Sequence, residues 1–129
     1  IVSGGNIDVN VIARVIERGL VKDGRLVRIN VALLDKPGQL ARVSAVIANL
    51  KANVIEVHHS RAFSDRFGDT VLQLTMETRG PEHVEEILRA LRERGTAAIL
   101  VTHDAVVSGR AHRILRMRNG RIVEEQRLR

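Results

Sequence analysis

The feature that most constrains the fold of this 129-residue chain is the order in which two side-chain periodicities follow each other. Segments rich in alternating or β-branched residues, typical of strands, are separated by segments with apolar residues at helical spacing. Strands are expected at residues 25–34, 53–62, 70–78 and 96–102, and helices at residues 37–51 and 82–94. The order β-α-β-β-α-β predicts an α+β sandwich, with two helices on one face of an antiparallel sheet.

The same periodicities predict which residues form the core. In the first strand, the residues Val27, Ile29, Val31 and Leu33 share one face, and in the third strand Leu72, Leu74 and Met76 do so. The helices carry apolar stripes of Leu40, Val43, Val46, Ile47 and Leu50, and of Val84, Ile87, Leu88 and Leu91. Val54, Ile55 and Val57 are expected at the buried end of the second strand.

Additional elements are expected on both sides of the sandwich. A first helix is predicted from Asn6 to Gly19, with Asn6 or Asp8 as its N-cap and Gly19 in the left-handed position that ends it. After the fourth strand, we expect a short helix over residues 104–111. A hairpin around Asn119-Gly120 follows, because this dipeptide favours a two-residue turn.

Composition excludes several classes of function. The chain has 21 Lys and Arg against 15 Asp and Glu, but only two aromatic residues to stack on bases, so we expect no nucleic-acid partner. It has no cysteine for a thiol nucleophile or a Cys-ligated zinc site, and no apolar run long enough for membrane insertion. The first residues lack the basic start of a signal peptide, which predicts a cytoplasmic protein that begins within a longer chain.

Several separate blocks of the chain match one family. They are Ser3–Asn10, Ile16–Leu20, Arg25–Val27, Asp35–Leu40, Ala52–Val57 and Glu77–His83. Residues 1–95 thereby resemble the junction and C-terminal ACT-like regulatory domain of pyridoxal-phosphate-dependent threonine ammonia-lyases. The resemblance implies a linker helix in residues 1–24 and a ferredoxin-like ACT-type sandwich in residues 25–102, with residues 103–129 as a tail.

ACT domains bind amino acids between two copies, so the resemblance implies a regulatory module that forms a homodimer and binds isoleucine, valine or threonine. The ligand-binding residues it implies are Asp35, Pro37, Gly38, Gln39, Leu40 and Asn53. The residue types also fit a simple strand-to-helix turn, because Pro37 lacks a backbone N–H and Gly38 permits a tight turn. The second interpretation is therefore a structural or interaction domain that binds no small ligand.

The resemblance also indicates which catalytic parts are absent. Ser3 occupies the place that in the family lies against the pyridine nitrogen of pyridoxal phosphate. The Schiff-base lysine and the phosphate loop belong to a preceding catalytic domain, and none of Lys22, Lys36 and Lys51 matches the lysine motif. We therefore expect no lyase activity and no cofactor of its own for this chain.

Residues 96–129 resemble a different family, the C-terminal end of an ABC transporter ATPase. His103 would take the place of the switch histidine that reaches the γ-phosphate of ATP, and the hairpin would follow it. The chain contains no GxxxxGK[ST] phosphate loop, so we expect no ATP hydrolysis. The two resemblances meet near Gly95-Thr96, which leaves open a third interpretation, a fragment of a larger lyase or ATPase.

The remaining histidines suggest no metal site. His58 and His59 are adjacent on a predicted strand, so their rings point to opposite faces and cannot chelate one metal ion together. His83 and His112 have no partners at ligand spacing. The sequence therefore predicts surface or interface roles for the adjacent pair.

Overall fold

The computed structural model describes residues 8–60, 69–102, 108–109, 111–119 and 121–128. It contains helices α1 (Val9–Lys22), α2 (Gln39–Asn49) and α3 (Pro81–Glu93), and strands β1 (Leu26–Leu34), β2 (Asn53–Ser60), β3 (Asp69–Glu77), β4 (Ala97–Leu100), β5 (Arg113–Arg118) and β6 (Arg121–Arg127). The α+β class and the β-α-β-β-α-β order are confirmed.

Strand β1 lies at the centre of the fold. The main sheet has the order β2-β3-β1-β4, and every neighbouring pair is antiparallel. β1 pairs with β3 along its whole length, from Leu26 opposite Glu77 to Leu34 opposite Asp69. β1 and β2 run in the same direction on either side of β3, and β3 and β4 do so on either side of β1. Parallel strands need a crossover connection, and α2 and α3 provide the two crossovers.

The hydrophobic core lies between the sheet and helices α2 and α3. The residues predicted on one face of β1 and of β3 are all buried there, which confirms the period-two prediction. The core residues are Val27, Ile29, Val31, Leu33, Val43, Val46, Ile47, Leu72, Leu74, Met76, Val84, Ile87 and Leu91. Leu50, Leu88, Val54 and Leu100 pack against them from its margins.

Two glycines set the ends of the helices. Gly38 precedes α2 with φ +85°, and Gly95 follows α3 with φ +74°. Both values lie in the left-handed region, which glycine adopts at little cost and which strains residues with a Cβ. Gly95 ends α3 as predicted, and the chain then enters β4.

His83 ties the two core helices together. Its side chain is buried; Nδ1 accepts a hydrogen bond from the backbone N–H of Arg79 at 3.0 Å, and Nε2 lies 2.7 Å from the carbonyl oxygen of Leu50. An acceptor at Nδ1 requires the neutral tautomer with its proton on Nε2, which then donates to Leu50. The imidazole therefore joins the end of α2 to the start of α3.

The first helix differs from the prediction. It begins at Val9 with Asp8 as its N-cap, and the carboxylate accepts from the N–H of Asn10 at 3.0 Å. It continues through Gly19 to Lys22, and the positive φ falls at Gly24 instead. The turn before β1 needs that conformation, whereas a single glycine costs a helix interior only about 1 kcal/mol.

The second strand also differs from the prediction. A β-bulge between Val54 and Glu56 makes Ile55 an extra residue, and Ile55 and Val57 are 55% and 46% exposed. β2 is an edge strand, so it has a neighbour on one side only. Of the three residues expected to be buried, only Val54 packs against the core.

The C-terminal hairpin is confirmed, with β5 and β6 as its antiparallel strands. Arg113 lies 3.4 Å from Glu125 and Arg116 lies 3.1 Å from Glu124, so one ion pair connects the strands at each of two levels. Most of the short helix predicted over residues 104–111 lies outside the described residues.

The face of the sheet opposite α2 and α3, here called the open face, carries rows of polar side chains. Arg28 Nε donates to Thr75 Oγ1 at 3.3 Å, and Thr75 Oγ1 donates to Glu56 Oε2 at 3.4 Å. Glu56 Oε1 lies 2.8 Å from His58 Nε2. The hydrogen bond from His58 and the charge of His58 lower the pKa of Glu56. Desolvation opposes this shift, and Arg28 and Thr75 lower the pKa by smaller amounts.

Replacement of His83 tests the tie between the helices. His83→Ala leaves the Leu50 carbonyl and the Arg79 N–H without their partner, so we expect the free energy of unfolding to fall by about 2 kcal/mol. Urea denaturation measures this change. The control is His59→Ala, an exposed histidine, for which we expect a change within about 0.5 kcal/mol. Equal losses in both variants would contradict the role assigned to His83.

Replacement of His58 tests the open-face ion pair. Because His58 is the main cause of the lowered pKa of Glu56, His58→Ala should raise that pKa toward its ordinary value. The stabilisation from ionised Glu56 is present above the ordinary carboxyl range and is lost as the pH falls through the lowered pKa. Carbon-13 NMR titration of the Glu56 carboxyl measures the change. His59→Ala, on the other face, should leave the titration unaltered.

Candidate functional site

The turn between β1 and α2 forms one side of a cavity of about 480 Å³, here called the turn cavity. β1 ends at Leu34, Pro37 interrupts hydrogen bonding, and the left-handed Gly38 turns the chain into α2. No side chain caps the start of this helix, and a Cβ at Gly38 would meet no atom within 4 Å. The turn therefore presents a helix start beside open space.

Five of the six residues predicted to bind ligand lie around this cavity. They are Asp35, Pro37, Gly38, Gln39 and Leu40. The side chain of Leu40 is 40% exposed, although its helical spacing predicted a place in the core. Leu40 lines the cavity and is not part of the core.

The sixth residue, Asn53, lies elsewhere. It begins β2 opposite Glu77, and its Nδ2 donates to Glu77 Oε2 at 3.0 Å. The cavity is at the other end of β2, near His59, about 20 Å away along a strand that rises about 3.3 Å per residue. Within one copy of the chain, Asn53 is therefore not brought together with the turn.

The structure adds residues to the cavity that the turn motif does not include. His59 lines it from β2 and Thr70 from β3, with Leu33 and Leu72 as its apolar floor. Thr70 is buried, and its hydroxyl donates to the carbonyl oxygen of Ser60 at 2.7 Å. The antiparallel register of β3 could have located them, because it places the start of β3 beside the end of β1.

The adjacent histidines point to opposite faces of the sheet, as predicted. His59 lines the turn cavity, whereas His58 pairs with Glu56 on the open face. Among the described residues, no three His, Cys, Asp or Glu side chains form a group that fits a metal ion. The described helices include none long and apolar enough to cross a membrane.

Two predicted cofactor positions cannot be placed. Ser3, for pyridoxal phosphate, and His103, for the γ-phosphate of ATP, both lie outside the described residues. Their roles stay predictions.

Part of the chain is similar to an ATP-binding transporter protein. Over 48 residues the chain is 42% identical to the macrolide export ATP-binding/permease protein MacB from Salmonella choleraesuis, which covers 37% of this chain and 7% of that protein. The match is short and partial, so the ATPase-like character of residues 96–129 stays a prediction.

Both the fold of the chain and the sequence of its β-α-β-β-α-β region are similar to those of known proteins. The X-ray structure of prephenate dehydratase from Streptococcus mutans superposes with a TM-score of 0.50 at 17% identity, covering 58% of this chain and 40% of that one, and shows a shared fold alone. L-threonine ammonia-lyase from Thermotoga maritima is 45% identical over 96 residues, which are 74% of this chain but 24% of that enzyme. The chain thus spans about a quarter of this relative's length. The model of the ACT domain matches residues 23–94, and the chain belongs to the ACT domain family.

Proposed function

We propose that this chain is a regulatory module that binds a free amino acid at the turn cavity and pairs with a second copy of itself. The observation that carries the proposal is the convergence of the turn residues 35–40 on one cavity, in a chain similar to a threonine ammonia-lyase. By the resemblance to threonine ammonia-lyases, the regulated enzyme would carry pyridoxal phosphate in a separate catalytic domain.

The lining of the turn cavity suits a small aliphatic amino acid. Backbone N–H groups at the start of α2 attract a carboxylate, and Gly38 puts no side chain in its path. Leu40, which is 40% exposed, offers apolar surface to an aliphatic side chain, and the buried Leu33 and Leu72 lie beneath the cavity. The volume of about 480 Å³ lies within the usual range for ligand sites, roughly 300–1,000 Å³. Isoleucine, valine and threonine are the proposed ligands.

Exposed apolar residues support pairing with a second copy. On the open face and beside β4, Val71, Ile99 and Val101 are 38%, 62% and 62% exposed. Pairing with a second copy would cover these apolar side chains. In such a dimer, we propose that Asn53 of one copy approaches the turn of the other, where its amide would exchange its hydrogen bond to Glu77 for one to the ligand.

We further propose that the ATPase-like tail supplies the fourth strand of the sheet. β4 lies just after the proposed join at Gly95-Thr96 and pairs with β1 from Ile29 opposite Leu100 to Ala32 opposite Ala97. Ala98 and Leu100 pack against the core, so the segment has the apolar pattern that this place requires. None of the described residues of the hairpin β5–β6 lines the turn cavity.

A substitution at Gly38 tests ligand binding. Gly38→Val forces a β-branched residue into a left-handed conformation and places methyl groups beside the cavity, so we expect isoleucine affinity to fall at least tenfold. Isothermal titration calorimetry with isoleucine, valine and threonine measures it. The matched control is Gly95→Val, which has a similar φ and an equally open surrounding but lies outside the cavity. Equal affinity in both variants would contradict binding at the turn.

The mass in solution tests pairing. We expect light scattering at micromolar concentration to give about twice the chain mass of 14.3 kDa, because dimer formation covers the exposed apolar residues. A mass equal to one chain would contradict the dimer. A folded dimer that binds none of the three amino acids would favour the alternative, a structural domain without a small ligand.

A further inference from the structure

We propose a second small-molecule site, in the cleft between the C-terminal half of α1 and the open face of the sheet, that binds a zwitterion with an aliphatic side chain. The cleft has a volume of about 690 Å³ and differs in place from the turn cavity. It lies at the start of β1, beside Leu26 and Arg28, whereas the turn cavity follows the end of that strand on the opposite face. The proposal does not depend on binding at the turn.

The floor of the cleft is apolar and incompletely covered. Val21 of α1 and Ile55 of β2 are 47% and 55% exposed, and Leu26 of β1 lies half-buried between them. Ile55 belongs here because the β-bulge removes it from the regular alternation of β2. Water therefore covers three aliphatic side chains from three different elements, which an aliphatic group of similar size would displace favourably.

Both signs of charge line the wall formed by the sheet. Glu56 Oε1 lies 2.8 Å from His58 Nε2, and this contact lowers the pKa of the Glu56 carboxyl. Arg28 uses its Nε on Thr75, and its two terminal nitrogens make no hydrogen bond within the described part of the chain. Such a guanidinium end is well suited to a carboxylate, because it offers parallel N–H donors. Glu56 retains lone pairs for an ammonium group.

The wall formed by α1 carries both signs as well. Arg18 and Lys22 lie one helical turn apart and face the cleft with Glu17. Within the described residues, none of the three forms an ion pair. With Arg28 and Glu56, the cleft therefore has three cations and two anions around one apolar floor.

This arrangement suits a zwitterion. A carboxylate can reach the guanidinium of Arg28 while an ammonium group reaches Glu56, whereas a ligand with a single charge can make only one of these two contacts. A free α-amino acid with an aliphatic side chain has a carboxylate, an ammonium group and an apolar part within the dimensions of the cleft. The class of ligand follows from the residues of the cleft alone.

The test is an NMR titration of the whole chain with isoleucine. We expect saturable shifts of the backbone amides of Leu26, Glu56 and Thr75, read separately from those of Gly38 and Gln39 at the turn. The one-charge analogues 3-methylpentanoate and 2-methylbutylamine should bind the cleft at least tenfold more weakly. Absent cleft shifts, or equal affinities for isoleucine and either analogue, would overturn the proposal.

Variants separate the cleft from the turn. Arg28→Gln should weaken isoleucine binding at the cleft at least tenfold, and Glu56→Gln should reduce it to the affinity of 3-methylpentanoate. Arg89→Gln, an exposed arginine of α3 outside both cavities, is the matched control. If the chain also binds isoleucine at the turn cavity, the amide shifts of Gly38 and Gln39 should persist in all three variants. The absence of these shifts would contradict binding at the turn cavity and would leave the cleft proposal unaffected. Unchanged cleft affinity in Arg28→Gln would overturn the inference.

Discussion

The burial of one face of β1 is the constraint on which the rest of the structure depends. Val27, Ile29, Val31 and Leu33 are nearly inaccessible to water beneath α2 and α3. A one-residue slip of this strand would exchange them for the opposite set, which includes Arg28 and Asn30. The register of β1 therefore fixes that of β3 and β4 on its two sides. It also fixes the level at which the chain leaves the sheet to form the turn cavity.

Most of the sandwich could be predicted from the sequence because its signals are local and agree with one another. The alternation in β1 and β3 and the stripes of α2 and α3 describe faces that are in fact buried together. The errors arose where a tertiary feature overrides a local signal. The bulge at Ile55 depends on how β2 meets β3, and α1 tolerates Gly19 because Gly24 provides the turn. Neither can be read from periodicity.

The part of the candidate site that could be predicted consists of residues that are consecutive in the sequence. Residues 35–40 lie together because the chain connects them, and the turn chemistry of Pro37 and Gly38 marks the place. His59 and Thr70 come from β2 and β3, so only the direction of each strand shows that they reach the same end. The same directions separate Asn53 from the turn. The cleft between α1 and the sheet could not be predicted from the sequence, because it depends on where α1 lies over the open face.

The tie formed by His83 has a mechanical consequence. α2 starts at the turn cavity and ends at Leu50, whose carbonyl is held by the imidazole that also holds the Arg79 amide at the start of α3. α3 in turn is hydrogen-bonded from the Leu91 carbonyl to the N–H of Thr96, which leads into β4. Hydrogen bonds thus connect α2, α3 and β4 in sequence, so that a displacement of one of these elements would strain its bonds to the next.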